Sequence, residues 1–400
     1  MREKPASCQG CPCHSHGTDF TSIEGTGSSG VMLVGEASGE MEAREGTPFV
    51  RYAPAGSVLE RIVRRMGLDR QQFSITNILR CRPRNNWLEG SPWEHAAISH
   101  CRPNLNDAIA SRRPRVIVAL GGTALRELTG LAGKQQGITH LAGYVLPTLN
   151  FGDPPIPVIG NFHPSYLRQG KSSHQGVFAR ILQRALNIAA GRDTAWLWNV
   201  DPAAPPSQLE YQVRPSLFDA GCFYTRMLLA QQLPISADIE TSESTTLDED
   251  AREGFQDTFV TQIQFSWGRG QSIVFPWKDE YINHALGILA LPNVKYGHNW
   301  SLFDHKVLRA AALRDGFKYA CNGPLYDTLD MFHHWQPDLP AHLQFAAQFI
   351  QFPFPWKHLA AADIAFYGAC DVDATWQLGE MLVRTLKRDG LWDDSTGRAA

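Results

Sequence analysis

Residues 31–50 read VMLVGEASGEMEAREGTPFV and predict a strand followed by a glycine-rich, acidic loop. The apolar run 31–34 is long enough for one buried strand. The loop after it has glycines at 35, 39 and 46 and acids at 36, 40, 42 and 45. Glycine lets a backbone approach a ligand where a Cβ would clash, and open α/β sheets bind ligands at the carboxyl ends of their strands.

An aromatic residue completes this pattern. Phe49 follows the rigid Pro48 and offers a flat apolar face near the strand end. Glycines, acids and an aromatic side chain at one strand end indicate a pocket for a flat polar ring. An acidic surface loop is the alternative interpretation of the same stretch.

The composition is that of a soluble globular protein, with 43% hydrophobic and 19% charged residues among 400. This length suggests two or three domains. Residues 1–192 hold 22 Lys+Arg and 14 Asp+Glu, a net charge of +8, whereas residues 193–400 hold 15 and 26, a net charge of -11. The basic half favours a polyanion partner. The acidic half is compatible with one if its carboxylates bind metal ions.

No membrane partner is expected. The sequence has no run of apolar residues long enough for a membrane span, and its start, MREKPASCQG, lacks the apolar region of a signal peptide. We therefore expect a cytoplasmic protein, in which structural disulfides are rare.

Strands and helices alternate along the first half, which predicts a parallel α/β sheet. The predicted strands are 31–35, 73–79, 115–120 and 156–159, and the predicted helices are 58–66, 93–110 and 175–190. Residues 193–209 are rich in proline and predict a linker. A second α/β unit follows, with predicted strands 235–239, 261–267 and 272–275, a helix at 216–231 and a long helical region ending near 388.

Four cysteines form a candidate metal site. Cys8 and Cys11 have the CxxC spacing that lets two thiolates share one metal centre, while Cys81 and Cys101 are isolated further along the chain. Four thiolates suit either a [4Fe–4S] cluster or a structural zinc ion. Cys13 is a spare candidate ligand, and four buried free cysteines are the alternative. The other three cysteines are expected in the core of the second half; they are Cys222, Cys321 and Cys370.

Five motifs of the first half resemble those of the family 4 uracil-DNA glycosylases. In chain order they are GEASGEMEAREGTPFV, ITNILRCRP, CRPNL, RVIVALGGTAL and HPSYLR. The resemblance covers about residues 8–190. It implies a three-layer α/β/α fold with a central parallel sheet. The four cysteines match those that hold a [4Fe–4S] cluster in that family, so the resemblance favours iron–sulfur over zinc.

The resemblance also assigns roles in a pocket for uracil. Such an enzyme takes the base out of the stack and stabilises the charge that develops on the leaving uracil. Phe49 matches the family's stacking residue, and His163 matches the histidine that donates to uracil O2. Asn77 can read the O4/N3 edge, because an amide offers a donor and an acceptor side by side. The alternative interpretation of Asn77 is that its side chain only satisfies the hydrogen bonds of a turn. The alternative interpretation of His163 is that it is a structural residue.

Further roles concern the walls of this pocket. Gly35 is expected to let the backbone approach the substrate. Glu36 matches the family's carboxylate on the water and sugar side, and Glu42 matches an acid beside the C5 edge that would exclude the methyl group of thymine. Tyr166 and Leu167 are candidate wedges that would press on the minor groove.

A second set of polar residues lies in the second half. Asp238 and Glu240 end a predicted strand, and strand alternation puts both carboxylates on one face. Tyr367 and Asp371 are four residues apart in a helical segment and so share a helix face. With Asp304 they make a candidate site for two divalent cations. Acids that serve as caps or surface charge are the alternative.

These contexts, ADIET, GHNWSLFDHKVL, LYDTLDM and FYGACDVDATWQL, resemble the DEDD 3'–5' exonucleases and in particular the proofreading domain of family A DNA polymerases. The resemblance covers about residues 210–390 and implies a ribonuclease-H-like α/β fold with a mixed sheet. The four acids match the residues that bind two Mg²⁺ or Mn²⁺ ions. Tyr367 matches the tyrosine that orients the attacking water, and Asn299 matches the residue that opens the second motif. The acidic insert 242–257 is expected to shape substrate entry.

The sequence thus predicts a glycosylase-like domain at 1–192, a linker at 193–209 and an exonuclease domain at 210–400. The expected activities are excision of uracil from DNA and trimming of DNA 3' ends. The expected partners are uracil-containing DNA, single-stranded DNA or 3' ends, and a separate DNA polymerase, in a bacterial or phage-infected cell. The alternative is an exonuclease whose first half is a catalytically silent DNA-binding module.

Overall fold

The structure, a computed structural model, describes residues 4–14, 20–131, 137–149, 151–152, 154–168, 171–198, 200–242, 258–393 and 398–399. The chain divides into two compact units, Met1–Trp198 and Asn199–Ala400. The break between them falls within the stretch 193–209; the bounds and roles of the two domains stay predictions. Most of the acidic insert, residues 243–257, lies outside the described residues.

The first unit is built on a five-stranded sheet in the order β2-β1-β3-β5-β4. Its strands are β1 (Val31–Ala37), β2 (Ser74–Leu79), β3 (Val116–Leu120), β4 (Val145–Pro147) and β5 (Pro157–Asn161). Strands β2, β1, β3 and β5 are parallel to one another. Near-continuous apolar runs such as VIVAL are typical of parallel strands covered on both faces, and every residue of β3 is buried.

Helices cover both faces of this sheet. They are α1 (Glu40–Glu45), α2 (Pro54–Arg65), α3 (Glu94–Arg112), α4 (Gly122–Thr129), α5 (Ile138–Leu141) and α6 (Ser172–Ala189). Met32 and Ile117 share a core with residues of α3 and α4. Successive strand residues face opposite ways, so the equally buried Leu33 and Val118 point to the other face. Helix α6 packs there against β3 and β5.

The elements of the first unit that the sequence did not predict include α1 and β4. The predicted acidic loop contains the helix α1, which lies between Gly39 and Gly46; Gly46 ends it in a left-handed conformation, with a φ of 69°. Strand β4 pairs antiparallel to β5 at the edge of the sheet. An edge strand of three residues is too short to show a periodic pattern, which is why the sequence did not indicate it.

The second unit is built on a mixed sheet, as expected for a ribonuclease-H-like α/β fold. Its strands are β6 (Glu210–Gln212), β7 (Ile235–Thr241), β8 (Val260–Gly268), β9 (Gln271–Pro276), β10 (Lys295–Gly297) and β11 (Leu325–Asp327). Their order is β11-β10-β7-β8-β9-β6. Strands β7, β8 and β9 are antiparallel neighbours, and β10 and β11 run parallel to β7.

Helices also cover the two faces of this second sheet. They are α7 (Leu217–Leu229), α8 (Asp279–Leu289), α9 (Asp304–Arg314), α10 (Thr328–Trp335), α11 (Leu343–Ala346) and α12 (Ile364–Arg388). Ile235, Ala237 and Ile239 of β7 join the apolar core beneath α7, α8 and α9. The alternate residues of β7 face α12, where Ser236 Oγ donates to the Val372 carbonyl at 2.6 Å.

Three smaller features complete the second unit. The strands β12 (Trp392–Asp393) and β13 (Arg398–Ala399) pair near the end of the chain. Of the three cysteines expected in the core, Cys370 is buried, whereas Cys321 is half-buried and Cys222 is exposed. The expectation is therefore wrong for Cys222, because it lies on the outer face of α7. Within the described residues, every helix is too short or too polar to cross a membrane.

Candidate functional sites

A cavity of about 510 Å³ opens at the carboxyl ends of the strands of the first unit. Parallel strands end at the same edge, so residues just beyond β1, β3 and β5 meet there. The polar and aromatic residues that line the cavity include Glu36, Ser38, Glu42, Phe49, Asn86, Glu89, Phe162, His163, Ser165 and Tyr166. Sequence regions more than 100 residues apart thus form one pocket.

Phe49 forms a buried wall of this cavity, with 1% of its surface exposed. Its ring centroid lies 5.6 Å from that of His163. Its φ of 48° is uncommon for a bulky residue and persists only where the surroundings hold it. Two neighbours do so: the Glu42 carboxylate accepts the Phe49 N–H, and Gly56 leaves room, since a Cβ there would lie 2.3 Å from the Phe49 carbonyl oxygen.

Glu42 has a structural use that the sequence did not indicate. Its carboxylate is mostly buried and accepts the N–H groups of both Gly39 and Phe49. Burial raises the pKa of Glu42, and the two backbone donors oppose that shift. Glu42 therefore positions Phe49 and the start of α1. Its role as a gate against the thymine methyl group stays a prediction.

Asn77 lies behind the cavity wall and leaves a hydrogen-bonding atom free. The side chain is 1% exposed, and its Oδ1 has no hydrogen-bond partner among the described residues. Strand pairing sets Asn77 opposite Gly35. A Cβ on Gly35 would lie 2.3 Å from Asn77 Oδ1 and 2.7 Å from Phe49 Cζ. An unpaired buried acceptor costs about 1–3 kcal/mol, so a ligand that donates to it would recover that energy.

His163 presents one ring nitrogen to the cavity in a defined protonation state. The Ser165 N–H donates to its Nδ1 at 3.3 Å, and the Ser165 hydroxyl lies 2.7 Å from the same atom. With Nδ1 accepting, the proton of the neutral ring resides on Nε2. Burial lowers the pKa of His163 to about 4, so the ring is a neutral donor at physiological pH.

Glu36 lies beside His163 and Phe49 at the cavity wall. Thr123 at the start of α4 donates its hydroxyl to Glu36 Oε2 at 3.2 Å. Burial raises the pKa of Glu36, while the Thr123 bond opposes the shift. This carboxylate can therefore accept a proton from a water molecule or stabilise a nearby positive charge.

The two candidate wedges differ in exposure. Tyr166 is 45% exposed and stacks on Phe162, with ring centroids 5.6 Å apart. Leu167 is fully buried, so the expectation that it acts as a wedge is wrong. Its side chain is part of the apolar core, where burial removes it from water.

Five cysteines, rather than four, lie together where the N-terminal segment of the chain packs against α3. All of them are buried; they are Cys8, Cys11, Cys13, Cys81 and Cys101. Backbone N–H groups donate to two of the sulfurs: that of Cys13 to Cys11 Sγ at 3.4 Å and that of Arg80 to Cys101 Sγ at 3.5 Å. A hydrogen bond with the Cys81 thiol holds the pKa of Cys13 below its usual value. N–H donors at sulfur are typical of thiolates that bind a metal centre.

The candidate metal site of the second unit gathers three carboxylates. One oxygen each of Asp238, Glu240 and Asp371 lie within 4.8 Å of one another. Alternation along β7 turns Asp238 and Glu240 to the face that α12 covers, and α12 supplies Asp371. Burial first, and then the neighbouring carboxylates, raise the pKa of both Asp238 and Glu240. Like charges packed so closely are typical of a site that binds cations.

Asp304, the fourth predicted acid, lies at the edge of this group. It is buried, and its Oδ1 accepts the Ile239 N–H at 3.1 Å. Burial raises its pKa well above the usual value, and the charge of Asp238 raises it further. The structure therefore brings all four predicted carboxylates to the end of β7, with three of them in closest contact.

A lysine that the sequence did not indicate reaches into this group. Lys357 Nζ lies 2.9 and 2.8 Å from the two carboxylate oxygens of Asp371 and donates to the Tyr367 hydroxyl at 2.7 Å. Trp356 Nε1 also donates to Asp371 at 2.6 Å. Lys357 follows an aromatic residue and begins the short 3-10 helix Lys357–Ala361, which is too short for periodicity to mark which side chains point inward.

Gln264 is a second residue that sequence reasoning missed. It lies opposite Asp238 in the β7–β8 pairing, and its Nε2 donates to Asp238 Oδ2 at 2.7 Å. A buried polar residue in the apolar strand VTQIQFSWG was the available signal.

Asn299 has a φ of 65°, and its N–H donates to Asp327 at 2.9 Å. Asp327 thus holds the backbone turn that carries Asn299.

Replacing Gly35 with alanine is expected to loosen the wall of the first cavity. The added methyl group would overlap Asn77 and Phe49, and such overpacking costs about 1–3 kcal/mol, or roughly a 5- to 150-fold loss of amide protection. Hydrogen–deuterium exchange of peptides that cover residues 42–56 measures this. Gly122→Ala is the matched control, because it lies at the same cavity with open space for a Cβ. Equal protection in both variants would contradict the tight packing of Gly35.

Comparison with known proteins bears on the first unit. The uracil DNA glycosylase superfamily matches residues 23–186. The type-4 uracil-DNA glycosylase of Thermotoga maritima is 37% identical over 173 residues, which cover 43% of this chain and 84% of that protein. The type-4 enzyme of Archaeoglobus fulgidus is 31% identical over 179 residues, which cover 44% of this chain and 86% of that protein.

Solved structures give a weaker likeness. The Nibbler EXO domain of Aedes aegypti has a TM-score of 0.34 at 9% identity and covers 48% of this chain and 92% of that domain. NrnC of Brucella melitensis bound to pGG has a TM-score of 0.32 at 19% identity and covers 41% of this chain and 78% of that protein. Such values support no conclusion about activity. The sequence relatives show the family of the first unit. Through residues 23–186 the chain belongs to the uracil-DNA glycosylase superfamily, and type-4 enzymes are its relatives there.

Proposed function

We propose that the first unit excises uracil from DNA by hydrolysis of the N-glycosidic bond. The observation that carries this proposal is the cavity that Phe49, Glu36 and His163 line together, with the unpaired Oδ1 of Asn77 buried behind its wall beside the Phe49 ring. Uracil is flat, donates from N3 and accepts at O2 and O4. An aromatic face, a free acceptor and a neutral imidazole donor match each of these properties.

Each residue would act on a base that has been turned out of the DNA. Phe49 stacks on the uracil ring, and Asn77 pairs with its N3–H and O4 edge. As the glycosidic bond breaks, negative charge develops on the base, and the Nε2–H of His163 stabilises it at O2. Glu36 lies on the cavity wall, where it orients the attacking water and stabilises the positive charge that develops on the sugar.

Replacing His163 with alanine is expected to slow uracil excision by roughly 100- to 1,000-fold, the usual cost of removing one donor to a developing anion. Heat- or alkali-labile breaks at uracil in single-stranded DNA, assayed without metal, measure the rate. His95→Ala is the control, since His95 is exposed on α3. Tight binding by the wild type with no breaks would instead support the silent DNA-binding module.

We further propose that the second unit trims DNA 3' ends by phosphodiester hydrolysis. The clustering of Asp238, Glu240 and Asp371 supports this, together with the position of Tyr367 beside Asp371. Two Mg²⁺ or Mn²⁺ ions at such carboxylates would activate water and stabilise the leaving oxygen. Lys357 bridges Tyr367 and Asp371, so it sets the direction in which the Tyr367 hydroxyl can hold a water molecule.

Asp238→Ala is expected to abolish metal-dependent 3' trimming, because one of the three closest carboxylates is lost. Release of mononucleotides from an end-labelled DNA strand in the presence of Mg²⁺ or Mn²⁺ measures this. Glu280→Ala on α8 is the control, since α8 packs on the opposite face of the sheet. Trimming that survives Asp238→Ala would contradict the proposed site, and uracil excision should be unchanged in both variants.

The cysteine site is proposed to hold a structural [4Fe–4S] cluster. The buried thiols and their N–H donors fit such a group. The cluster would tie the segment around Cys8 and Cys11 to β2 and α3. The proposed ligands are Cys8, Cys11, Cys81 and Cys101, and Cys13 is a spare candidate ligand.

Anaerobically purified protein is expected to contain about four iron atoms and four acid-labile sulfides per chain. Cys101→Ser should lose most of both, because it removes one of the proposed ligands, a buried sulfur that accepts the Arg80 N–H. Cys222→Ser should keep them, since Cys222 is exposed in the second unit. Metal analysis and the visible absorption spectrum measure the outcome, and stoichiometric zinc without iron would contradict the cluster.

The two activities would act on different DNA structures. Excision of uracil leaves an abasic site, which is not a 3' end, so a nick must form before the second unit can act at that position. The combination suits a protein of DNA repair. A separate DNA polymerase as partner stays a prediction.

A further inference from the structure

A second groove on the first unit is lined mainly by arginines. It encloses about 450 Å³, and four of its six lining residues are arginines. The lining residues are Arg51, Ser57, Glu60, Arg61, Arg64 and Arg65. Among the described residues, none that lines this groove has an aromatic side chain on which a base could stack. Its chemistry suits a phosphate group rather than a base.

The positive charge of this groove is only partly compensated. Glu60 is the one acid among the described residues that line the groove; it accepts from Arg64 Nε at 2.6 Å and lies 3.5 Å from Arg51 Nη1. Arg61 and Arg65 are exposed and form no ion pair with any described residue. They are four residues apart on α2, so they lie on one helix face. Two guanidinium groups therefore point to solvent beside each other.

The groove is adjacent to the uracil pocket. Ala55 lines the pocket, whereas Ser57, in the same helix turn, lines the groove. Gly56 packs directly beneath the Phe49 backbone. With a rise of about 1.5 Å per residue, Arg61 and Arg65 lie about 9 and 15 Å along α2 from Ala55. One strand of DNA carries a phosphate about every 3.4 Å of rise, so these distances correspond to roughly three to four nucleotides.

We propose that the arginine groove of α2 binds the phosphodiester backbone of the DNA strand that delivers its base to the pocket, three to four nucleotides from that base. The contact positions the strand without reading its sequence. The inference rests on the proposed glycosylase function for its substrate. Affinity for DNA without uracil tests it independently of catalysis.

The experiment compares the wild type with the Arg61→Ala/Arg65→Ala variant. Both arginines are exposed, and alanine is a good helix former, so the helix should persist. Binding of a uracil-free single strand of about 15 nucleotides is measured by fluorescence anisotropy at several salt concentrations. Loss of two phosphate contacts is expected to reduce the slope of log K against log salt by about 1.4. If the two proteins bind equally at 1 M salt, this change makes binding by the variant roughly 25-fold weaker at 0.1 M salt.

A control variant removes the same charge elsewhere. Arg115→Ala/Arg192→Ala changes two exposed arginines outside the lining of the groove, one immediately before β3 and one just beyond α6. Its affinity should stay within about threefold of the wild type. An equal loss in both variants would show a general charge effect and overturn the proposal, as would an unchanged affinity in Arg61→Ala/Arg65→Ala.

DNA length gives a second test. A uracil-containing strand with a single nucleotide on each side cannot reach the groove, so the α2 variant and the wild type should bind and cut it equally. Equal binding of the longer strand would overturn the inference. A different result separates the two proposals. If the wild type cuts neither strand but the α2 variant still loses affinity for the longer strand, the proposed uracil excision is contradicted and the phosphate contact of the arginine groove is supported.

Discussion

Strand geometry governs both sites of this protein. Successive side chains of a strand face opposite ways, and paired residues of neighbouring strands are fixed beside each other. In the first unit, pairing places Gly35 against Asn77 and leaves space only because Gly35 has no side chain. In the second unit, alternation sends Ile235, Ala237 and Ile239 into the apolar core and turns Asp238 and Glu240 to the opposite face. One shift in register would scatter either set.

Both sites also contain polar groups that folding alone leaves poorly satisfied. The free Oδ1 of Asn77 and the packed carboxylates around Asp238 each raise the energy of the ligand-free protein. Such groups persist where a ligand restores the missing interaction. For Asn77 the missing interaction is a hydrogen-bond donor, and for the carboxylates it is positive charge, part of which Lys357 supplies.

Phe49 shows how a strained residue is kept in place. Its left-handed backbone requires support from more than one direction, and Glu42 and Gly56 provide it from the helices before and after. The same first turn of α2 that supports Phe49 begins the helix that carries the arginine groove. The position of the aromatic ring and of the basic surface are therefore linked through one short segment.

The amino-acid sequence by itself determined the α/β character of both units, because apolar runs such as VIVAL and the alternation in ADIET are local and strong. It also indicated most of the residues that meet at each site, since their motifs survive as short stretches of sequence. It did not reveal α1, β4 or β6, which are too short to show periodicity. It also missed Lys357 and Gln264, and it misplaced Leu167. Only the tertiary structure decided these, because whether a side chain points into a site depends on the register and packing of segments that are far apart in the chain.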